Sequence, residues 1–153
     1  MADRDEYITI NSVQLALDGA WRIIDPTPFL AEGRYRGRDR VVPGTAGAVK
    51  RARVLGPLGV VAAMHVFGVK DETGTTYADQ RLGLRDNIAY LRGQLLPPYG
   101  SNSVTIVHTF SDAATRSGTC IVNELRVAST FEFGAGKAAV VTLDVTVLEG
   151  KLT

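Results

Sequence analysis

The amino-acid sequence predicts a mainly β protein: two packed antiparallel sheets or a β-barrel, with one flanking helix over about residues 79–95. Three observations carry this. Apolar and polar residues alternate in many short runs, the period of half-buried strands. Turn residues punctuate those runs at short intervals. A single stretch, Leu84, Ile88, Leu91 and Leu95, has its apolar residues at helical spacing instead.

Taken in order, Tyr7-Ile8-Thr9-Ile10 and Val13-Gln14-Leu15-Ala16-Leu17 alternate on either side of Asn11-Ser12. Asn tolerates positive φ, so this reads as a tight hairpin or a kinked strand. Asp18-Gly19 marks a turn. Trp21–Ile24 is a short strand stopped by Asp25-Pro26-Thr27-Pro28. Residues 31–59 are rich in glycine with arginines interleaved, and read as a long loop with strands at 40–42 and 51–55. A loop of that length in a compact protein tends to be functional. Residues 60–69 form a buried strand, followed by a turn at Asp71-Glu72-Thr73-Gly74. Asp79 is placed to cap the helix and Pro97-Pro98 to end it, while Arg81, Arg85 and Arg92 fall off its apolar stripe. Strands then follow at 103–110, 115–122, 125–133 and 141–147, with turns at Ser111-Asp112 and Gly134–Lys137. No repeat or linker divides the chain, so the expectation is one domain over residues 1–153.

Composition narrows the function. With 45% hydrophobic and 22% charged residues the balance is that of a globular protein. Seventeen basic residues against sixteen acidic ones leave a net charge of +1, without the excess of a dedicated nucleic-acid binder. The one cysteine, Cys120, excludes an intrachain disulfide and a Cys-rich zinc site. The N-terminus is charged rather than apolar, unlike a secretory signal, and no apolar run approaches the ~20 residues of a membrane helix.

Catalytic motifs are not found. There is no dinucleotide fingerprint, Walker loop or nucleophile elbow. Gly44-Thr45-Ala46-Gly47 lacks the lysine of a phosphate cradle and reads as a turn. His65 and His108 fall inside predicted strands without ligand-spaced partners, and Cys120 reads as a buried thiol rather than a nucleophile paired with either. Asp71, Glu72, Asp79 and Asp86 read as turn and cap residues rather than a catalytic carboxylate pair. No catalytic, cofactor-binding or metal residue is therefore assigned, and no cofactor.

The most distinctive feature is the row Arg34, Arg36, Arg38 and Arg40, joined by Lys50, Arg51 and Arg53. In extended backbone the four alternating arginines point to one side. Such a row suits phosphate contact, a subunit interface or a solvated loop face. The near-neutral net charge favours the interface, with Arg34, Arg36, Arg38, Arg40, Arg51 and Arg53 as its residues.

Tyr7–Asn11, Gly37-Arg38-Asp39-Arg40-Val41-Val42-Pro43-Gly44 with Gly47, a β-rich run, Tyr77-Ala78-Asp79 and the helix Leu84–Leu95 follow one another in an order that resembles the tail-tube and distal-tail (minor tail) proteins of siphophages of actinobacterial hosts. The resemblance spans most of the chain through loose motifs. It implies a tail-tube fold and a hexameric ring whose inner wall is a β-barrel. It implies stacked rings through which DNA leaves without specific binding, and a long loop, here 31–59, that reaches a neighbouring copy. It also implies other tail proteins as partners, a place in the virion tail after synthesis in the host cytoplasm, and no enzymatic activity. Distal-tail proteins usually carry a second domain, for which 153 residues are too few. That favours a tube-type or minimal distal-tail ring. The competing readings are a small β-barrel that binds a ligand or catalyses a reaction, with Trp21, Tyr35, Tyr77 and Tyr99 lining its pocket, and a DNA binder acting through the arginine row.

Overall fold

The computed structural model describes residues 6–36, 40–41, 48–49, 54–96 and 103–153, with backbone alone at 36, 40–41, 48–49 and 54. Twelve strands and one α-helix follow in order: β1 (Tyr7–Ile10), β2 (Val13–Gln14), β3 (Ala16–Leu17), β4 (Trp21–Ile23), a 3-10 helix (Thr27–Leu30), β5 (Tyr35–Arg36), β6 (Arg40–Val41), β7 (Ala48–Val49), β8 (Val54–Leu55), β9 (Leu58–Val66), α1 (Gln80–Leu95), β10 (Val104–Thr109), β11 (Thr115–Phe133) and β12 (Gly136–Val147).

Eight strands form one antiparallel sheet in the order β2-β1-β10-β11-β12-β9-β4-β3. Its two outermost strands are successive on the chain, with only Leu15 between them. The Leu15 N–H donates to the Ile8 carbonyl of β1 at 2.8 Å, and the Leu15 carbonyl accepts from Ile23 N–H of β4 at 3.0 Å. The ladder thereby returns to its start. Of the two architectures expected, this is the barrel rather than two separate sheets. Closure leaves few free edges, which suits a small β protein.

Local chemistry explains the early strands. Asn11 and Ser12 take φ of 50° and 63°, the pair of positive values that a two-residue hairpin turn requires. The predicted hairpin is thus present, and β2 and β3 are the kinked continuation. Strand β9 alternates between buried and exposed residues along its length. The buried strand expected at 60–69 runs over Leu58–Val66 and buries one face, with Val61, Ala63 and His65 on the other. The two strands expected at 115–122 and 125–133 are one. Register shifts between Val122 and Glu124 and between Val127 and Ser129 absorb the polar residues that look like a break in the sequence.

Helix α1 begins where expected, with the Asp79 carboxylate accepting from Arg81 N–H at 2.9 Å. Pro97-Pro98, the expected stop, lies outside the described residues. Leu84, Leu91 and Leu95 are buried against the barrel, and Tyr90 stacks on the fully buried Trp21 at 5.6 Å. The Trp21 indole N–H donates to the Gln14 carbonyl at 2.9 Å, so this large side chain is both packed and satisfied. No described helix is long and apolar enough to cross a membrane.

Candidate subunit interface

Within residues 31–59 the described residues pair in two short antiparallel ladders. Tyr35 and Arg36 pair with Leu55 and Val54, and further out Arg40 and Val41 pair with Val49 and Ala48. The two nested ladders are the described part of an arm. Its base is clamped: Gly33 N–H donates to Gly150 O at 2.7 Å and Gly56 N–H to Arg34 O at 2.8 Å. A Cβ on Gly33 would lie 2.0 Å from the Gly56 carbonyl oxygen, so only glycine permits this approach. Gly33→Ala is expected to leave the barrel folded while loosening the arm, read as faster proteolysis within 34–55 at nearly unchanged near-UV circular dichroism.

Arg34 and Tyr35 stand at the base of the arm, with Tyr35 58% exposed. Arg36 and Arg40 lie in its outgoing strands. Arg38, Arg51 and Arg53 are outside the described residues, as is Gly44–Gly47. Four positions separate Arg36 from Arg40, while five separate Val49 from Val54, so the two ladders are out of register by one residue. The charge itself is lopsided. Residues 31–59 hold seven basic and two acidic residues, so in a chain of net charge +1 a basic arm stands on an acidic remainder.

The second feature is a free sheet edge, which the sequence reading missed. Strand β11 pairs with β10 only over Thr115–Cys120, and beyond that only with β12. From Ile121 to Phe133 its outer side has no strand partner among the described residues. The signal was in the pattern: alternation continues far past the six residues that β10 offers as partners. Near the tip of this hairpin the outer face carries aromatic rings. His65 meets Phe131 at 5.5 Å, and Phe67 meets Phe133 at 4.7 Å, with Phe133 42% exposed.

The residues considered for chemistry are scattered. Cys120 is buried in the core, and burial pushes its thiol up to about 12, far from thiolate character. It lies opposite Val104, four residues along β10 from His108, about 13 Å at the rise of a strand. His65 faces the outside. Asp71 accepts from the Thr73 and Thr75 N–H groups within its turn, Asp79 caps α1, and Asp86 pairs with Arg85. Of the aromatics considered as pocket residues, Trp21 is in the core, Tyr77 bonds Asn87, Tyr35 is on the arm, and Tyr99 lies outside the described residues. They do not converge. No group of three potential metal ligands occurs among the described residues.

His108 is a buried histidine. It points inward from β10, its Nε2 bonded to the Glu6 carboxylate and its Nδ1 without a partner. Burial lowers its pKa, with Glu6 pulling the other way and Arg116 adding to the lowering. An unfolded imidazole titrates near ~6.5, so the unfolded chain takes up the proton first as pH falls. The stability gained from a neutral His108 is therefore complete above that pH and is lost as pH falls through the folded value. Melting temperature is expected to drop between pH 7 and pH 5, and His108→Gln to flatten that slope.

No family model and no curated protein matches the chain. A solved structure does. The chain aligns with the crystal structure of the SPP1 Dit (gp 19.1) protein, described as a paradigm of the hub adsorption apparatus in phages that infect Gram-positive bacteria, with a TM-score of 0.59. The chain has a Dit-like phage-tail fold. The match covers 96% of this chain at 16% identity, and the chain spans about half (51%) of that protein. The mostly β architecture and its single helix, read from the pattern alone, are those of the Dit-like fold.

Proposed function

We propose that the chain is a virion structural protein: a ring-forming subunit, hexameric as the resemblance implies, of a non-contractile phage tail tube or tail tip through which DNA passes. The observation that carries this reading is the open edge of β11 from Ile121 to Phe133, the longest stretch of strand edge without a strand partner among the described residues. A protein with an exposed strand edge of this length either aggregates or pairs it with a partner. Pairing with an identical neighbour through a different surface gives a head-to-tail contact, which makes a ring where its rotation closes. The Dit-like fold is in keeping with this, and the actinobacterial affiliation belongs to the same proposal.

The basic arm supplies the second contact, with Arg34, Arg36, Arg38, Arg40, Arg51 and Arg53 directed at the acidic remainder of an adjoining copy or ring. Other tail proteins flank the ring, DNA passes without specific binding, and the protein performs no catalysis. Its place is the virion tail after synthesis in the host cytoplasm.

The test is particle mass by light scattering across a concentration series, with negative-stain images of the same sample. The expected result is a defined ring with a central hole. Amide exchange at 121–133 should be fast in the monomer and slowed by ~100-fold or more in the ring. A species that stays monomeric, or rings whose β11 edge exchanges as freely as in the monomer, would sink this reading.

A further inference from the structure

Two surfaces on opposite sides of the β11–β12–β9 strip have matching chemistry. Beside β11, a groove between α1 and the sheet is lined by Leu84, Ile88 and Val127 and rimmed by Arg81, Arg85 and Arg92. Val127 pairs with Val141 and points to the core side, yet it stays half-buried, so the apolar layer is unfinished there. The rim is cationic. Arg85 bonds Asp86 at 3.0 Å on the exposed surface, while Arg81 and Arg92 have no ion pair among the described residues.

Beside β9 lies a knob. Ile24 N–H donates to the Ala63 carbonyl at 2.9 Å, and the 3-10 helix packs along β9 with Phe29 buried in the core. Anchoring Phe29 leaves Ile24 and Leu30 on the outside, 51% and 43% exposed. Two carboxylates flank them. Asp25 accepts from Thr27 N–H at 2.9 Å, and Glu32 makes only an exposed pair with Lys151 at 3.5 Å.

We propose that the knob of one copy seats in the arginine-rimmed groove of the next. Ile24 and Leu30 cover Leu84, Ile88 and Val127, and Asp25 and Glu32 face Arg81 and Arg92. The inference rests on the ring reading and names what fills this groove: a second copy of the same chain. Apolar knob meets apolar groove, and carboxylates meet guanidiniums that have no ion pair among the described residues. Because the two patches differ and lie on opposite sides, the contact is head-to-tail and is satisfied for every copy only in a closed ring.

A charge exchange in the full chain tests it. Asp25→Arg with Glu32→Arg, and separately Arg81→Glu with Arg92→Glu, are each expected to raise the concentration at the assembly midpoint by ~10-fold or more. All four side chains are exposed, so each variant should fold with a near-normal melting temperature. The chain carrying all four changes restores the pairing with reversed signs and should assemble within ~3-fold of the unaltered protein. Rings that ignore both pairs of changes, or a fourfold variant that assembles no better than the pairs, overturn this contact and leave the ring reading standing. An unaltered protein that is monomeric at every concentration overturns both.

Discussion

Gly83→Ala is expected to destabilise the protein by about 2–3 kcal/mol, lowering the melting temperature by about 5–10 °C. The usual expectation for a helix is the reverse, since alanine is the better helix former by about 1 kcal/mol. Here a Cβ at Gly83 would lie 2.4 Å from the Gly68 carbonyl oxygen and 2.6 Å from the Tyr77 ring. From the other side, a Cβ on Gly68 would lie 1.9 Å from the Gln80 carbonyl oxygen. Backbone meets backbone at this crossing, and neither segment can yield without moving α1 off the barrel. Gly93, in the same helix, has nothing within 4 Å of its added Cβ, so Gly93→Ala should stabilise by about 0.5–1 kcal/mol. Thermal melts of the two variants should therefore shift in opposite directions. A Gly83→Ala melt at or above that of the unaltered protein would show that the crossing is looser than its geometry.

Asn87→Leu should cost about 3–4 kcal/mol. Asn87 is fully buried on α1. Its amide donates to the Phe67 carbonyl at 2.7 Å and the Lys70 carbonyl at 2.8 Å, and its oxygen accepts from the Tyr77 hydroxyl at 3.1 Å. One side chain thus satisfies three groups of the 67–77 connection and pins it to the helix. Leucine restores volume but leaves those groups unpaired in a site that solvent does not reach. Tyr77→Phe removes one of the three bonds and should cost about 1 kcal/mol. Asn87→Asp keeps the acceptor but turns a carboxylate on two carbonyls, and should exceed the cost of leucine. Urea unfolding of the three variants gives the order directly, and an Asn87→Leu protein within 1 kcal/mol of the original would mean that water takes over those bonds. Both predictions bear on the proposed knob-and-groove contact, because the position of α1 sets the width of the arginine-rimmed groove.

Much of the fold was legible because its cues are local. A period of two marks strands wherever one face is buried, and Leu84, Ile88, Leu91 and Leu95 mark a helix by the same logic at another period. Asn11-Ser12 announced a turn through backbone preference alone, and Asp79 announced a cap through hydrogen bonding. The arginine row was visible as composition. What its described members belong to, paired ladders clamped at their base, depends on Gly33, Gly56 and Gly150 meeting from distant parts of the chain.

The remainder was decided by contacts between residues far apart in sequence, which no local period encodes. Asn123 and Glu124 look like a break between strands, yet β12 runs past them and a register shift absorbs the extra residue. Leu15 looks like any apolar strand residue, yet its two hydrogen bonds close the barrel. Gly83 looks like a helix defect and Asn87 like a surface polar residue, until the 67–77 connection is packed against them. The free edge of β11 exists because β10 is short and β12 is long, a comparison made only when the strands stand side by side. By itself, the sequence determined which segments are strand, helix and turn, since those choices follow from backbone preference and one-sided burial. Only the tertiary structure decided which edges are paired, which polar groups are satisfied and which surfaces stay open, since each of these is a property of two segments brought together.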